Sequence, residues 1–148
     1  MREKGLTLAL AESCTGGLLS SVITDAPGSS GYFLGSTVAY ANSVKEGSLK
    51  VKAVTLEKHG AVSKETAREM AQGARKTLHA DISASITGIA GPGGGTKKKP
   101  VGLVYIAVAK GGKTVAKKFL FEGGRKSIKN QSVEAALLMI AKALKLKV

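Results

Sequence analysis

The chain has 148 residues and a mass of 15.1 kDa, with 43% hydrophobic residues and a net charge of +13. That length suits one ordinary domain, 1–148, and excludes two. No apolar stretch reaches the roughly 20 residues needed to cross a bilayer, and Met1-Arg2-Glu3-Lys4-Gly5 leads into strand-like sequence rather than a signal peptide, so a cytoplasmic location is expected.

The charge is unevenly spread: residues 1–96 carry 10 basic and 8 acidic side chains, residues 97–148 carry 13 and 2. An excess of this kind points to nucleic acid, a small anion or a membrane surface as partner, or to a solvated lysine-rich face with none. A single cysteine, Cys14, excludes an internal disulfide, and with only His59 and His79 beside it no metal-ligand spacing arises. Neither a metal nor a cofactor is expected.

In chain order, Leu6–Ala11 is an apolar run suited to a buried strand. It breaks at Glu12-Ser13-Cys14-Thr15-Gly16-Gly17 before Leu18, Leu19, Val22 and Ile23 recur at helical spacing. A turn at residues 26–30 precedes a predicted strand from Tyr32 to Tyr40, and a helix follows Asn42. Ser63 is a candidate N-cap for a helix whose apolar face is Ala67, Met70, Ala71, Ala74 and Leu78, with Thr66 where a capping box has Glu or Gln. Asp81–Thr87 reads as a strand that enters a glycine-rich loop, residues 88–100. Val101–Ala109 and Thr114–Phe121, on either side of Lys110-Gly111-Gly112-Lys113, predict an antiparallel hairpin. From about Lys126, the stripe Val133, Ala136, Leu137, Ile140, Leu144 predicts a closing helix. The fold class this implies is α/β, with a mixed sheet covered by helices on both faces.

Three segments are candidates for chemistry. Ser13, with Thr15, Gly16 and Gly17, puts a small nucleophile beside backbone N–H groups that suit a phosphate or an oxyanion; a plain capping turn is the structural alternative. Ser29-Ser30, Tyr40, Asn42 and Lys45 bring a phenol and an amine to the junction of strand and helix. A serine nucleophile needs a base, and no acid–His pair is evident. Lysine serves if its pKa falls by about 3.4 units to reach half-neutrality at pH 7; a surface lysine is the alternative. The third segment, Ser85–Pro92, fails both glycine-rich nucleotide templates, so it reads as backbone approach to a small ligand with Thr87 as hydroxyl donor, or as a flexible loop.

Together these blocks resemble the C-terminal domain of the CinA family, the competence/damage-inducible proteins, whose stand-alone members are nicotinamide mononucleotide deamidases of the PncC type. The resemblance runs from about Leu6 to the last helix. It is carried by Ala11–Gly17, Pro27-Gly28-Ser29-Ser30, Tyr40-x-Asn42-x-x-Lys45, His59–Ser63, Thr87–Pro92, Lys99–Gly102 and Phe121-x-Gly123-x-Arg125. It implies a three-layer α/β/α sandwich with a mixed, mostly parallel sheet including one antiparallel hairpin, and hydrolysis of nicotinamide mononucleotide to nicotinate mononucleotide and ammonia. In that activity Ser13 is the nucleophile and Lys45 its base, Tyr40 and Ser30 complete the hydrogen-bond network, and Thr87 and Arg125 hold the nucleotide. Cys14 is the rival nucleophile; alternating side chains in extended backbone put at most one of Ser13 and Cys14 in the site. The chain departs from the family pattern in its nearly absent first helix, in Gly93 where an acidic residue is usual, in Lys129 where arginine is common, and in having no counterpart of the larger N-terminal domain. The expected partner is a small-molecule nucleotide, with neither membrane nor specific nucleic acid, in a homo-oligomer. A basic nucleic-acid-binding or competence-related module and a non-catalytic nucleotide-binding scaffold are the alternative readings.

Overall fold

Alternation along the first strand decides the layering. In a computed structural model, which describes residues 1–146 and omits the Arg2 side chain, β1 (Leu8–Glu12) is buried along its whole length. It sends Leu8 and Leu10 to one side of the sheet and Ala9 and Ala11 to the other. The chain continues through α1 (Leu18–Thr24), β2 (Phe33–Val38), α2 (Asn42–Leu49), α3 (Ala53–His59), α4 (Lys64–Thr77), β3 (Ile82–Gly88), β4 (Leu103–Lys110), β5 (Lys113–Leu120) and α5 (Arg125–Ala143). Short 3-10 turns lie at Arg2–Lys4 and Ser29–Gly31.

The five strands form one sheet in the order β2-β1-β3-β4-β5. The β1–β2 and β1–β3 pairs are parallel, while β3–β4 and β4–β5 are antiparallel. Four strands therefore run one way and β4 alone runs against them. Leu8, Leu10, Ile82, Ile86, Val104 and Ile106 pack under α1 and α5, against Leu19, Ile128, Val133, Ala136 and Ile140. On the opposite face the strands present small residues to α4: Ser83 and Ser85 donate their hydroxyls to Ala71 O and Ala67 O, both at 2.6 Å. Ala107 and Ala109 meet Ala67 and Ala71 there. Small side chains on both sides let α4 lie close to the sheet, and each buried hydroxyl finds a helix carbonyl, as burial demands.

The predicted elements occur with end shifts of one or two residues. The Ser63 cap forms, its Oγ accepting the Thr66 N–H at 3.1 Å, and Thr66, rather than completing a capping box, donates its own hydroxyl to Gly60 O at 2.8 Å. The hairpin closes on Gly111-Gly112, with Lys110 opposite Lys113. The sequence pattern does not predict α3: it is seven residues long, has no side-chain cap, and includes β-branched Val54 and Thr55. No helix among the described residues is long and apolar enough to cross a membrane.

Candidate active site

The C-terminal ends of β1, β2 and β3 open on one rim of the sheet, where parallel strands commonly deliver their functional residues. Ser13 leaves β1 at this rim, its N–H bonded to Ile86 O of β3 at 3.0 Å. The next four residues turn tightly, with Gly16 and Gly17 at φ of +63° and +99°, conformations that favour glycine. Glu12 fixes the far side of that turn. Its fully buried carboxylate accepts the N–H groups of Gly17 (3.1 Å), Leu19 (3.0 Å) and Ser20 (2.8 Å), and also the Ser20 hydroxyl. A carboxylate against the opening turn of a helix satisfies donors that otherwise have no partner.

The last residues of β2 and the first turn of α2 supply the amine. Lys45 is 1% exposed, and its Nζ donates to Ala39 O at 2.8 Å and Tyr40 O at 2.9 Å. Burial pushes its ammonium below the usual lysine range, against an opposing pull from Cys14. The two carbonyls take two of the positions on Nζ and leave the third for a proton or a lone pair.

Thr87 ends β3, and the glycine-rich loop that follows forms the opposite wall. A cavity of about 260 Å³ lies between them, lined by Ser13, Cys14, Tyr40, Lys45, Ala61, Val62, Thr87, residues 88–91, Gly93, Gly94 and Arg125. Arg125, the first residue of α5, closes one side: Nη1 donates to Gly91 O at 2.7 Å and Nη2 to the Tyr40 hydroxyl at 3.1 Å. Two of its five N–H donors are thereby engaged and three are left for a ligand. Lys99 ties the loop to the α3 end through His59 O at 2.7 Å. No group of three or more His, Cys, Asp or Glu residues that could hold a metal occurs among the described residues.

Ser13, Tyr40, Lys45, Thr87 and Arg125 thus share one cavity, although 112 positions separate the first from the last. Other expectations need correction. Gly16 and Gly17 do not point free N–H groups at a ligand, because Gly16 donates to Ser13 O at 3.0 Å and Gly17 to Glu12. Among the described residues, the Thr15 N–H is the one of the three without an acceptor. Thr87 is not a free hydroxyl donor either: its proton goes to Ala61 O at 2.8 Å, so toward a ligand it accepts. Ser30 lies on the exposed Ser29–Gly31 turn before β2, and β2 runs parallel to β1, so this chain's Ser30 sits at the opposite rim, about 16 Å along the strands.

Both Ser13 and Cys14 line the cavity, contrary to the alternation argument, because β1 stops at Glu12 and extended geometry no longer applies. Burial pushes the Cys14 thiol up to about 11, so it carries its proton at neutral pH and is a poor nucleophile. Glu12 is the participant that motif reasoning missed. Its signal was an acidic residue directly before a glycine turn and a helix, which is where a carboxylate can cap.

A model of the CinA C-terminal domain matches residues 1–144. A CinA-like protein of Syntrophomonas wolfei is 55% identical over 145 residues, which are 98% of this chain and 35% of that protein. A CinA-like protein of Endomicrobium trichonymphae is 53% identical over 142 residues, 96% of this chain and 33% of its own length. The chain therefore spans about a third of these relatives. Among solved structures, the competence/damage-inducible protein CihA of Agrobacterium tumefaciens superposes with a TM-score of 0.93 at 40% identity, covering 95% of this chain and 87% of that one. A CinA superfamily protein of Escherichia coli gives 0.92 at 33% identity, covering 96% and 83%. With the family model matched across residues 1–144 and the fold in agreement, the chain belongs to the CinA C-terminal domain family.

Proposed function

We propose that this chain is a serine amidohydrolase that converts nicotinamide mononucleotide to nicotinate mononucleotide and ammonia. The observation that carries the reading is Lys45, a buried lysine with two carbonyl acceptors and a depressed pKa, lining the same cavity as Ser13. A lysine in that state is a base, whereas an exposed ammonium is not.

In the proposed cycle the neutral Lys45 amine takes the Ser13 hydroxyl proton as Oγ attacks the carboxamide carbon. The tetrahedral oxyanion draws on the N–H groups of Cys14 and Thr15, the donors of the turn that Glu12 and Ser13 O leave unused. Collapse breaks the C–N bond, and the Lys45 ammonium returns its proton to the departing amine, which leaves as ammonia. A water, deprotonated by the same amine, then cleaves the ester and frees Ser13 and the carboxylate product. Arg125 receives the nucleotide phosphate on its remaining donors, and its bond to the Tyr40 hydroxyl orients the phenol at the cavity mouth. The partner is a small anionic nucleotide, and the reading needs neither metal nor cofactor.

Ammonia release from nicotinamide mononucleotide, with nicotinate mononucleotide identified by mass, tests this. Turnover by the wild type that falls by about 10³-fold or more in Ser13→Ala is expected. A folded wild type without turnover sinks the reading.

A further inference from the structure

The two faces of the sheet are covered unequally at β5. On one face α4 reaches across the strand, where Ala116 packs against Ala67 and Ala71, and Thr114 Oγ1 accepts from Gln72 Nε2 at 3.1 Å. On the other face α5 lies over β3 and β4. The β4–β5 register turns Lys113, Val115 and Lys117 to that second face, and all three are exposed, Val115 by 56%. A helix about 10 Å across covers about two strands, so the layer that holds α1 and α5 has room for one more helix over β5. A groove of about 470 Å³ lies there. Its floor is apolar, formed by Val108, Val115, Met139 and Ala143. Its walls are cationic: Lys113 and Lys117 rise from β5, Lys142 and Lys145 from the end of α5, and Lys110 ties β4 to α5 by donating to Ala143 O at 3.0 Å. Among the described residues, no acidic side chain lines it. Met139 stands fourteen residues beyond Arg125, about 21 Å along α5, so the groove is separate from the Ser13 cavity.

We propose that this groove docks an acidic amphipathic helix of a partner protein, with its apolar face on Val115 and Met139 and the carboxylates of its two flanks against the lysines of β5 and α5. Charge complementarity selects the occupant. Lysines on both walls call for negative charge on both sides of an apolar ridge, which Glu and Asp beside a hydrophobic stripe at helical spacing supply. A fatty acid has one carboxylate and leaves most of these lysines unpaired. Nucleic acid finds no aromatic ring among the lining residues on which to stack a base. An extended peptide would press unpaired backbone groups onto the apolar floor, whereas a helix satisfies its own. A second copy meeting this face with its own would bring lysine against lysine. From Lys113 to Lys117 the β5 wall runs about 13 Å, the length of about nine helical residues. The proposal stands apart from the amidohydrolase reading, since no residue of the groove belongs to that site.

Fluorescence anisotropy at physiological ionic strength tests the site, with a labelled peptide of about 16 residues that carries leucines on one helical face and glutamates on both flanks. The wild type is expected to bind it at least about tenfold more tightly than a peptide of the same composition with its leucines dispersed. Val115→Glu with Lys117→Glu is expected to weaken binding by about tenfold or more. Lys97→Glu with Lys98→Glu removes more positive charge, but from the exposed glycine-rich loop, and is expected to change binding by less than about twofold because distant charges are screened. The chain has no tryptophan, so Val115→Trp supplies a second readout with every lysine in place: its emission moves to the blue when unlabelled peptide covers the groove. A wild type that does not bind the peptide overturns the proposal, also where phosphatidylglycerol vesicles or oleate shift the Val115→Trp emission instead. So does equal affinity for the dispersed peptide, an equal loss in the loop variant, or an emission that the peptide leaves unmoved.

Discussion

Lys45 concentrates the physical argument because its two environments differ so much. In water its ammonium is strongly hydrated; in the folded chain it has two carbonyls and almost no solvent, and burial lowers its pKa. The unfolded chain therefore binds more protons than the native one between the depressed folded value and the ordinary value near 10.5. Native stability contributed by this site must then rise with pH through that window, since its low-pH penalty is the cost of charging a buried amine. In Lys45→Met that rise is expected to vanish, so the melting temperature of the wild type relative to the variant should increase between neutral and alkaline pH; a constant difference contradicts it. The same group sets the expected rate profile: turnover climbs with pH as the amine deprotonates, and Lys45→Met loses about 10²–10⁴-fold. Cys14 behaves oppositely, since a thiol raised to about 11 is expected to resist alkylation at neutral pH in the folded state and to react once denatured.

At the scale of elements, the Glu12 carboxylate holds the first turn of α1 to the end of β1, so Ser13 is presented from a turn braced by four hydrogen bonds. Glu12→Ala leaves three backbone donors without an acceptor and is expected to cost about 2–4 kcal/mol in denaturant unfolding. A second close approach joins α2 to α4, where a Cβ on Gly73 would stand 1.8 Å from Leu49 O. Gly73→Ala must push these helices apart and is expected to lower stability by about 1–3 kcal/mol, read as a lower melting temperature. These two contacts stand apart from what was legible in the chain. An unbroken apolar run announced β1, helical periodicity α4, a glycine turn between two apolar runs the hairpin, and the stripe from Val133 to Leu144 α5, while the Ser63 cap was readable from one residue. Glu12 and Gly73 were not, because each acts on a neighbour whose position only the folded structure supplies. The oxyanion expectation failed at Gly16 and Gly17 for the same reason: a motif shows which N–H groups a turn has, while a carboxylate packed behind it decides which stay free. Helix α3 escaped because seven residues without a side-chain cap leave little pattern to read.

Across the whole molecule, the parallel run of β1, β2 and β3 explains how residues from distant blocks meet. Ser13, Tyr40 and Thr87 each sit at the C-terminal end of a strand, and α5 begins where β5 delivers Arg125 to the same rim. Spacing along the chain could nominate those residues, but only this shared direction brings them together. It also shows why Ser30, at the start of β2, stands apart within one chain. The lysine excess of residues 97–148 lies mostly away from the cavity, so on the proposed reading it would act on an anionic substrate only as a background field. Raising ionic strength should therefore increase KM for an anionic substrate and leave kcat nearly unchanged; a salt-independent KM would contradict that role. The central claim is that Ser13, not Cys14, attacks an amide with Lys45 as base. The most direct measurement is ammonia release from nicotinamide mononucleotide by the wild type, Ser13→Ala and Cys14→Ala side by side. Turnover lost in Ser13→Ala and retained in Cys14→Ala is the predicted result, and undiminished turnover in Ser13→Ala contradicts it.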